Sequence, residues 1–187
     1  ASRSGAAACT SSCTSWEERP GSTVSGGWDT VVGQGECPAS SRSQPLSALT
    51  RCLIEEAAAI AASAQRLDAE QVESALQLLD QCMQRRAKLV ITGVGKSGIV
   101  ARKIAATFSS IGLMAIYLNP LDALHGDLGV VASDDVTLLL SNSGETQELL
   151  EILPHLRRRG TGRIALVGRV ESSLARGCDV VLDGSVD

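Results

Sequence analysis

Three short stretches carry most of the side chains that could do chemistry. In Ser141-Asn142-Ser143-Gly144-Glu145-Thr146, three hydroxyls and one glycine separate an apolar run from a helix-like run. A strand that ends in small hydroxyl residues and then enters a helix makes an anion cradle. Its free N–H groups and the positive end of the helix dipole face the loop mouth. Ser141, Ser143 and Thr146 can each donate a hydrogen bond to a phosphate oxygen, while Gly144 allows close backbone approach or positive φ. The competing reading of these residues is a plain helix cap.

Upstream, Gly93-Val94-Gly95-Lys96-Ser97-Gly98 places a cation and a hydroxyl at another helix start. A lysine there opposes the helix dipole, and an anionic ligand explains it better than solvent does. Lys96 and Ser97 are therefore candidates to meet a phosphate or sugar oxygens, on a turn supported by Gly93, Gly95 and Gly98. The spacing also matches GxGxxG, but Asn119-Pro120 follows the next strand where a dinucleotide fold needs an acidic residue. Val90 stands where a Walker loop needs its first glycine.

The third stretch, residues 119–129, holds His125 before Gly126-Asp127. His125 is a candidate for proton transfer, or a histidine that pins a loop through hydrogen bonds. One His and one Asp are too few ligands to predict a metal site. Glu145 and Glu148 fall in the first turn of the expected third-loop helix, where acidic side chains suit the dipole. A carboxylate next to phosphate is repelled, so Glu148 is expected at the sugar end as an acid/base or hydroxyl-orienting group. His155, beside an arginine run, reads as surface.

Positioning these loops requires strands and helices in alternation. Apolar runs predict strands at 89–92, 113–118, 136–140, 163–167 and 180–182. Helices are expected at 97–110, 148–159 (with Pro154 kinking it) and 171–176. The pattern predicts an α/β fold, a five-stranded parallel sheet covered on both faces and doubly wound. Ligands of such sheets bind at the carboxyl ends of strands, near the switch in strand order. Two leading helices precede the sheet: apolar positions from Leu49 to Leu67, then a stripe of Val72, Ala75, Leu76, Leu79 and Met83. Asp68 is the expected N-cap of the second, with Gln71 at the capping-box position. Met83 reads as core filler.

Composition narrows the classes further. A net charge of −4 over 187 residues gives no electrostatic case for nucleic acid or an anionic membrane. No apolar run approaches the ~20 residues that span a bilayer. Of six cysteines, none forms a CxxC pair; Cys52, Cys82 and Cys178 read as buried free thiols, which fits a reducing, cytoplasmic compartment. Residues 1–45 hold ten Ser and six Gly with no hydrophobic period, and are expected to form a disordered head. Three Arg against four acidic residues there is the wrong balance for a transit peptide. Trp16 and Trp28 lie in this head and receive no function. The domain proper is expected at 46–187, in a fragment or processed chain, since position 1 is not Met.

The two loops together, with the run Arg102-Lys103-Ile104-Ala105-Ala106-Thr107-Phe108 and with His125-Gly126-Asp127-Leu128-Gly129, resemble the sugar isomerase (SIS) domain from about Leu49 onward. Within that superfamily they are most similar to the arabinose-5-phosphate isomerases. The resemblance implies a flavodoxin-like α/β/α sandwich and interconversion of D-ribulose 5-phosphate and D-arabinose 5-phosphate through an enediol. It implies no redox cofactor and no metal. The phosphate would be held by Ser141, Ser143 and Thr146 with Ser97 assisting, Asn142 and Gly144 supporting the loop. Lys96, His125 and Glu148 match positions in or near the active site, with base and acid not apportioned among them. A homo-oligomer, dimer or tetramer, is implied, with the leading helices as interface elements. So is a product that feeds an eight-carbon acidic sugar (Kdo) of cell envelopes. Family members continue with a further Glu, a Ser/Thr cluster and a later His, then usually a CBS pair. This stretch is therefore expected to turn over poorly. A non-catalytic SIS sensor would need the serine loop but not the proton-transfer set, and a nicotinamide enzyme would need the GxGxxG turn.

Overall fold

The computed structural model describes residues 43–186. The expected head, with Cys9, Cys13, Cys37, Trp16 and Trp28, lies outside the described residues apart from its last three positions, which open the first helix. Helices α1 (Ser43–Arg66) and α2 (Ala69–Gln84) lead into β1 (Leu89–Gly93), α3 (Lys96–Ser110) and β2 (Ala115–Leu118). Then come α4 (Pro120–Leu124), a 3-10 turn (Asp127–Val130), β3 (Val136–Ser141) and α5 (Gln147–Arg159). The chain finishes through β4 (Gly162–Val167), α6 (Ser173–Arg176) and β5 (Val180–Asp183). All strand pairs are parallel, in the order β2-β1-β3-β4-β5.

The central strands are apolar on both sides because both faces are covered. Toward one face Val90, Leu139, Ala165 and Val167 pack against Leu149, Ile152 and Leu156 of α5. Toward the other Leu89, Ile91, Leu140 and Ile164 meet Ala101 and Ala105 of α3 and Ala75 and Cys82 of α2. α5 runs on through Pro154, which is exposed.

Several expectations need correction. Residues 119–131 are not simply a loop. Asn119 accepts the Leu121 N–H at 3.2 Å and Pro120 occupies the first helical turn, so a residue pair that reads as a turn also starts α4. Five residues are too few to show a helical period. On α2 the buried line runs through Ala75 and Cys82, whereas Leu76 and Met83 are 56% and 51% exposed. Small side chains let this face approach the sheet, so Met83 is not core. Asp68 caps α2 as expected, accepting from Glu70 and Gln71 N–H. The Gln71 side chain does not close a capping box; its Oε1 accepts the Val181 N–H at 2.8 Å and ties α2 to the edge strand β5.

Cys52 is exposed on α1, contrary to the expectation of burial. That helix presents Leu46, Leu49, Leu53 and Ile60 to solvent. Its carboxyl end is held by Ser63 and Arg66, both donating to the Ser185 carbonyl. Among the described helices none is long and apolar enough to cross a membrane.

Burial drives the thiols apart in reactivity, because desolvation disfavours the thiolate. It pushes the Cys178 thiol up to about 12, and it raises Cys82 as well. In a chain with Cys9, Cys13 and Cys37 replaced by serine, Ellman's reagent at pH 8 should label Cys52 promptly. Cys82 and Cys178 should react only after unfolding, and three fast equivalents would contradict this placement.

Two buried polar groups predict opposite effects on stability. Asp135, 2% exposed, accepts from Lys88 N–H at 3.0 Å, Lys88 Nζ at 2.6 Å and Ala132 N–H at 2.7 Å, tying the starts of β1 and β3 together. Asp135→Ala should cost about 3 kcal/mol in urea unfolding, since three donors lose a charged acceptor. The buried Thr137 hydroxyl has no hydrogen-bond partner among the described residues. Thr137→Val should therefore be neutral or stabilise by about 1 kcal/mol.

Candidate functional site

From β1 the chain moves outward to β2, then returns to the other side of β1 for β3, so the switch in strand order lies between β1 and β3. The 93–98 and 141–146 turns leave the carboxyl ends of these two neighbours. They meet at a cavity of about 260 Å³ whose lining includes Lys96, Ser97, Ser141, Asn142 and Gly168. The expected juxtaposition of the lysine turn with the hydroxyl turn is therefore present.

The first turn is built by close packing. Gly95 stands at φ 59°, and a Cβ on Gly98 would lie 2.7 Å from the Gly93 carbonyl oxygen. The Tyr117 hydroxyl donates to that carbonyl at 3.1 Å, and the Arg102 guanidinium lies 4.6 Å from the ring centre of Tyr117. These glycines thus let a helix start sit tightly on a strand. Lys96 is exposed and makes no ion pair or hydrogen bond among the described residues.

The second turn uses its hydroxyls partly on itself. Ser141 Oγ is buried, accepts the Gly144 N–H at 3.0 Å and lies 2.7 Å from Thr146 Oγ1. Those two hydroxyls share one proton, leaving one O–H of the pair free to donate. Ser143 Oγ accepts the Glu145 N–H at 3.2 Å and keeps its own proton.

Helix starts divide into two kinds. α2, α4 and α6 are capped by the side chains of Asp68, Asn119 and Ser172. α3 begins at Gly95 and α5 at Thr146, and neither has a side-chain cap. The 3-10 turn after Gly126 also lacks a side-chain cap, but of the longer helices with a described N-cap only α3 and α5 lack one. Both start at the switch point, where first-turn N–H groups and positive dipole ends favour an anion.

Residues 168–174, after β4, were not anticipated as part of this region, yet they brace the second turn. Gly168 N–H donates to Asn142 O at 3.0 Å and Leu174 N–H to Gly144 O at 3.0 Å. Glu145 is not in the first turn of α5, which begins two residues later; its Oε1 accepts the Ser173 N–H at 2.9 Å. That N–H, followed by the Ser173 side chain, holds the Glu145 carboxyl below its ordinary value of 4.5. The contact is therefore intact at neutral pH and is lost only as acid takes the pH down through the lowered value. Gly168 at a strand end and Ser172-Ser173 at the start of a short helix mark a turn after β4, but nothing in either signals the contact with Glu145.

His125 is exposed at the carboxyl end of α4, and Glu148 is half-buried in the first turn of α5. Neither side chain makes a hydrogen bond among the described residues, and neither lines the cavity with Lys96. Ser143 and Thr146 also lie outside that lining. A separate cavity of about 400 Å³ opens at the amino-terminal edge of the sheet. Of its arginines, Arg85 is paired with Asp134 at 2.8 Å and Arg163 with Asp179 at 2.7 Å.

The sequence model of the SIS domain matches residues 83–187, more than half of the chain. The chain belongs to the SIS domain family. An arabinose 5-phosphate isomerase KpsF of Escherichia coli O6:H1 is 36% identical over 138 residues, 74% of this chain and 41% of the relative. An arabinose 5-phosphate isomerase KdsD of Pseudomonas aeruginosa is 46% identical over 101 residues, 54% of this chain and 31% of the relative. The SIS chain thus spans well under half the length of these relatives. Among solved structures, an E. coli CFT073 protein in complex with arabinose 5-phosphate superposes with a TM-score of 0.72 at 37% identity, covering 79% of this chain and 76% of that one. A protein structure from Listeria monocytogenes gives 0.74 at 30% identity over 79% and 75% of the two chains.

Gly144 is the most constrained residue of this SIS loop. It stands at φ 65°, and a Cβ there would lie 1.9 Å from Ser172 Oγ. Gly144→Ala should lower the melting temperature by several degrees, because the added methyl meets Ser172 Oγ at a left-handed φ. An unchanged melting temperature would show that Ser172 moves aside without cost.

Proposed function

We propose that this SIS domain belongs to an enzyme that interconverts D-ribulose 5-phosphate and D-arabinose 5-phosphate through an enediol. The observation that carries the reading is the pair of uncapped helix starts at the switch point, with Lys96 free beside them. The relatives named arabinose 5-phosphate isomerase supply the substrate class. The phosphate sits on the α5 start, taking donors from Ser143 and Thr146, while Ser141 shapes the turn and shares its proton with Thr146. Ser97 assists from the α3 start.

Isomerisation moves one proton between carbons one and two and a second between the two oxygens, so the reaction is redox-neutral and calls for no electron-carrying cofactor. It does need a base whose pKa is near neutral and a group that stabilises oxyanion charge. Lys96, His125 and Glu148 divide these roles. Lys96, an ammonium at a helix start, suits the oxyanion; His125 and Glu148 suit proton transfer. The exposed apolar stripe of α1 supports an assembly of two or four chains. The unpaired thiols of Cys52, Cys82 and Cys178 fit a cytoplasmic setting. The product's use in making an eight-carbon acidic sugar follows from the family resemblance.

Thermal unfolding with added ligand tests the binding claim. D-Arabinose 5-phosphate at ten times its dissociation constant should raise the melting temperature by about 3 °C, while NAD should leave it unchanged. Loss of deuterium from carbon two of the sugar, followed by NMR, tests the chemistry. Stabilisation by NAD and not by either pentose phosphate would overturn the assignment.

A further inference from the structure

The loop that follows β3 is moulded from outside. The first N–H groups of α6 are all used within the protein: Ser173 N–H by Glu145 Oε1 at 2.9 Å, Leu174 N–H by Gly144 O at 3.0 Å, and Ala175 N–H by Ser172 Oγ at 3.4 Å. Ser172 Oγ also fills the space beside Gly144. The neighbouring α5 has no side-chain cap on its own first turn. One helix start therefore shapes the loop, and the other is left open to an anion.

Glu145 is an unfavourable residue for this place on electrostatic grounds alone, because a carboxylate beside a phosphate site repels the ligand. Its geometry supplies the compensating role. The carboxylate reaches across to α6, making a charge-assisted hydrogen bond near the cations Arg176 and Arg169. We infer that Glu145 is a positioning residue for the phosphate site: by accepting the Ser173 N–H it holds residues 141–146 in the shape that presents Ser143, Thr146 and the α5 start to the ligand. This rests on reading that loop as the phosphate cradle. Glu145 touches no reacting atom and acts through the loop.

The donor can be removed independently of the acceptor. Ser173 is the first residue of α6, where proline is well accepted, and Ser172 at φ −74°, ψ 166° is already in the extended form that precedes proline. Ser173→Pro thus deletes the N–H, together with the hydroxyl that also meets Glu145 and Arg176, without breaking the helix.

Calorimetric titration of the 187-residue chain with D-arabinose 5-phosphate should show the dissociation constant rising about tenfold in Glu145→Ala and in Ser173→Pro. The double variant should be no weaker than either single one, because both remove the same contact. Glu145→Gln, whose amide oxygen still accepts, should stay within about threefold of wild type. Melting temperatures should stay within about 2 °C, Glu145 being exposed. Hydrogen exchange without ligand should speed up at residues 143–146 in both single variants. Tighter binding by Glu145→Ala and Glu145→Gln would mean that the carboxylate only repels, and additive losses would mean two unrelated contacts; either overturns the inference. A sugar-binding wild type with unchanged variants overturns it alone. A wild type that takes no pentose phosphate overturns the functional reading and the ligand half of this one together, while the exchange data still decide the contact itself.

Discussion

An α-helix begins with N–H groups that its own backbone cannot satisfy, and the rest of this fold is arranged around where those groups find acceptors. Three helices meet the need with an Asp, an Asn or a Ser side chain. α3 and α5 do not, and parallel pairing of β1 with β3 sets the strand ends that feed them next to each other, with α3 on one face of the sheet and α5 on the other. The strand order sets the lysine turn beside the start of the hydroxyl turn, and an order that separated β1 from β3 would part them.

Holding that site open requires the loops to be stiff before a ligand arrives. Hydrogen bonds within the turn, the glycine at φ 65° and the brace from residues 168–174 supply this on the β3 side. Tyr117, through the Gly93 carbonyl, supplies it on the β1 side. Preorganised donors lose little freedom on binding, so under the proposed function their interaction with a phosphate is little offset by ordering entropy. Deeper in the molecule Asp135 fixes the starts of the same two strands, so one register is tied at both ends.

Much of this was readable in the residues, and the reasons differ by element. Runs such as Val136 to Leu140 have no polar face, so they could only be strands covered on both sides, and a five-stranded parallel sheet follows from their alternation with helices. Lys96 and the hydroxyls of the second turn stood out because their types conflict with, or exceed, what a helix start needs. Other features were hidden for physical reasons. The choice of buried face on α2 depends on which small residues meet the sheet, and α4 is too short to show a helical period. The reach of Glu145 to Ser173 joins residues 28 apart, and no local pattern announces it. Cys52 and the stripe of α1 look like core in any periodic reading; only the three-dimensional arrangement leaves them at the surface.

A crystal structure of the chain with D-arabinose 5-phosphate tests the central claim most directly. The account places the phosphate at the start of α5, its oxygens about 3 Å from first-turn backbone nitrogens and from the hydroxyls of the second turn, with the Lys96 ammonium toward the same ligand. A phosphate bound instead beside Arg85 and Arg163, in the cavity at the opposite edge of the sheet, would contradict it.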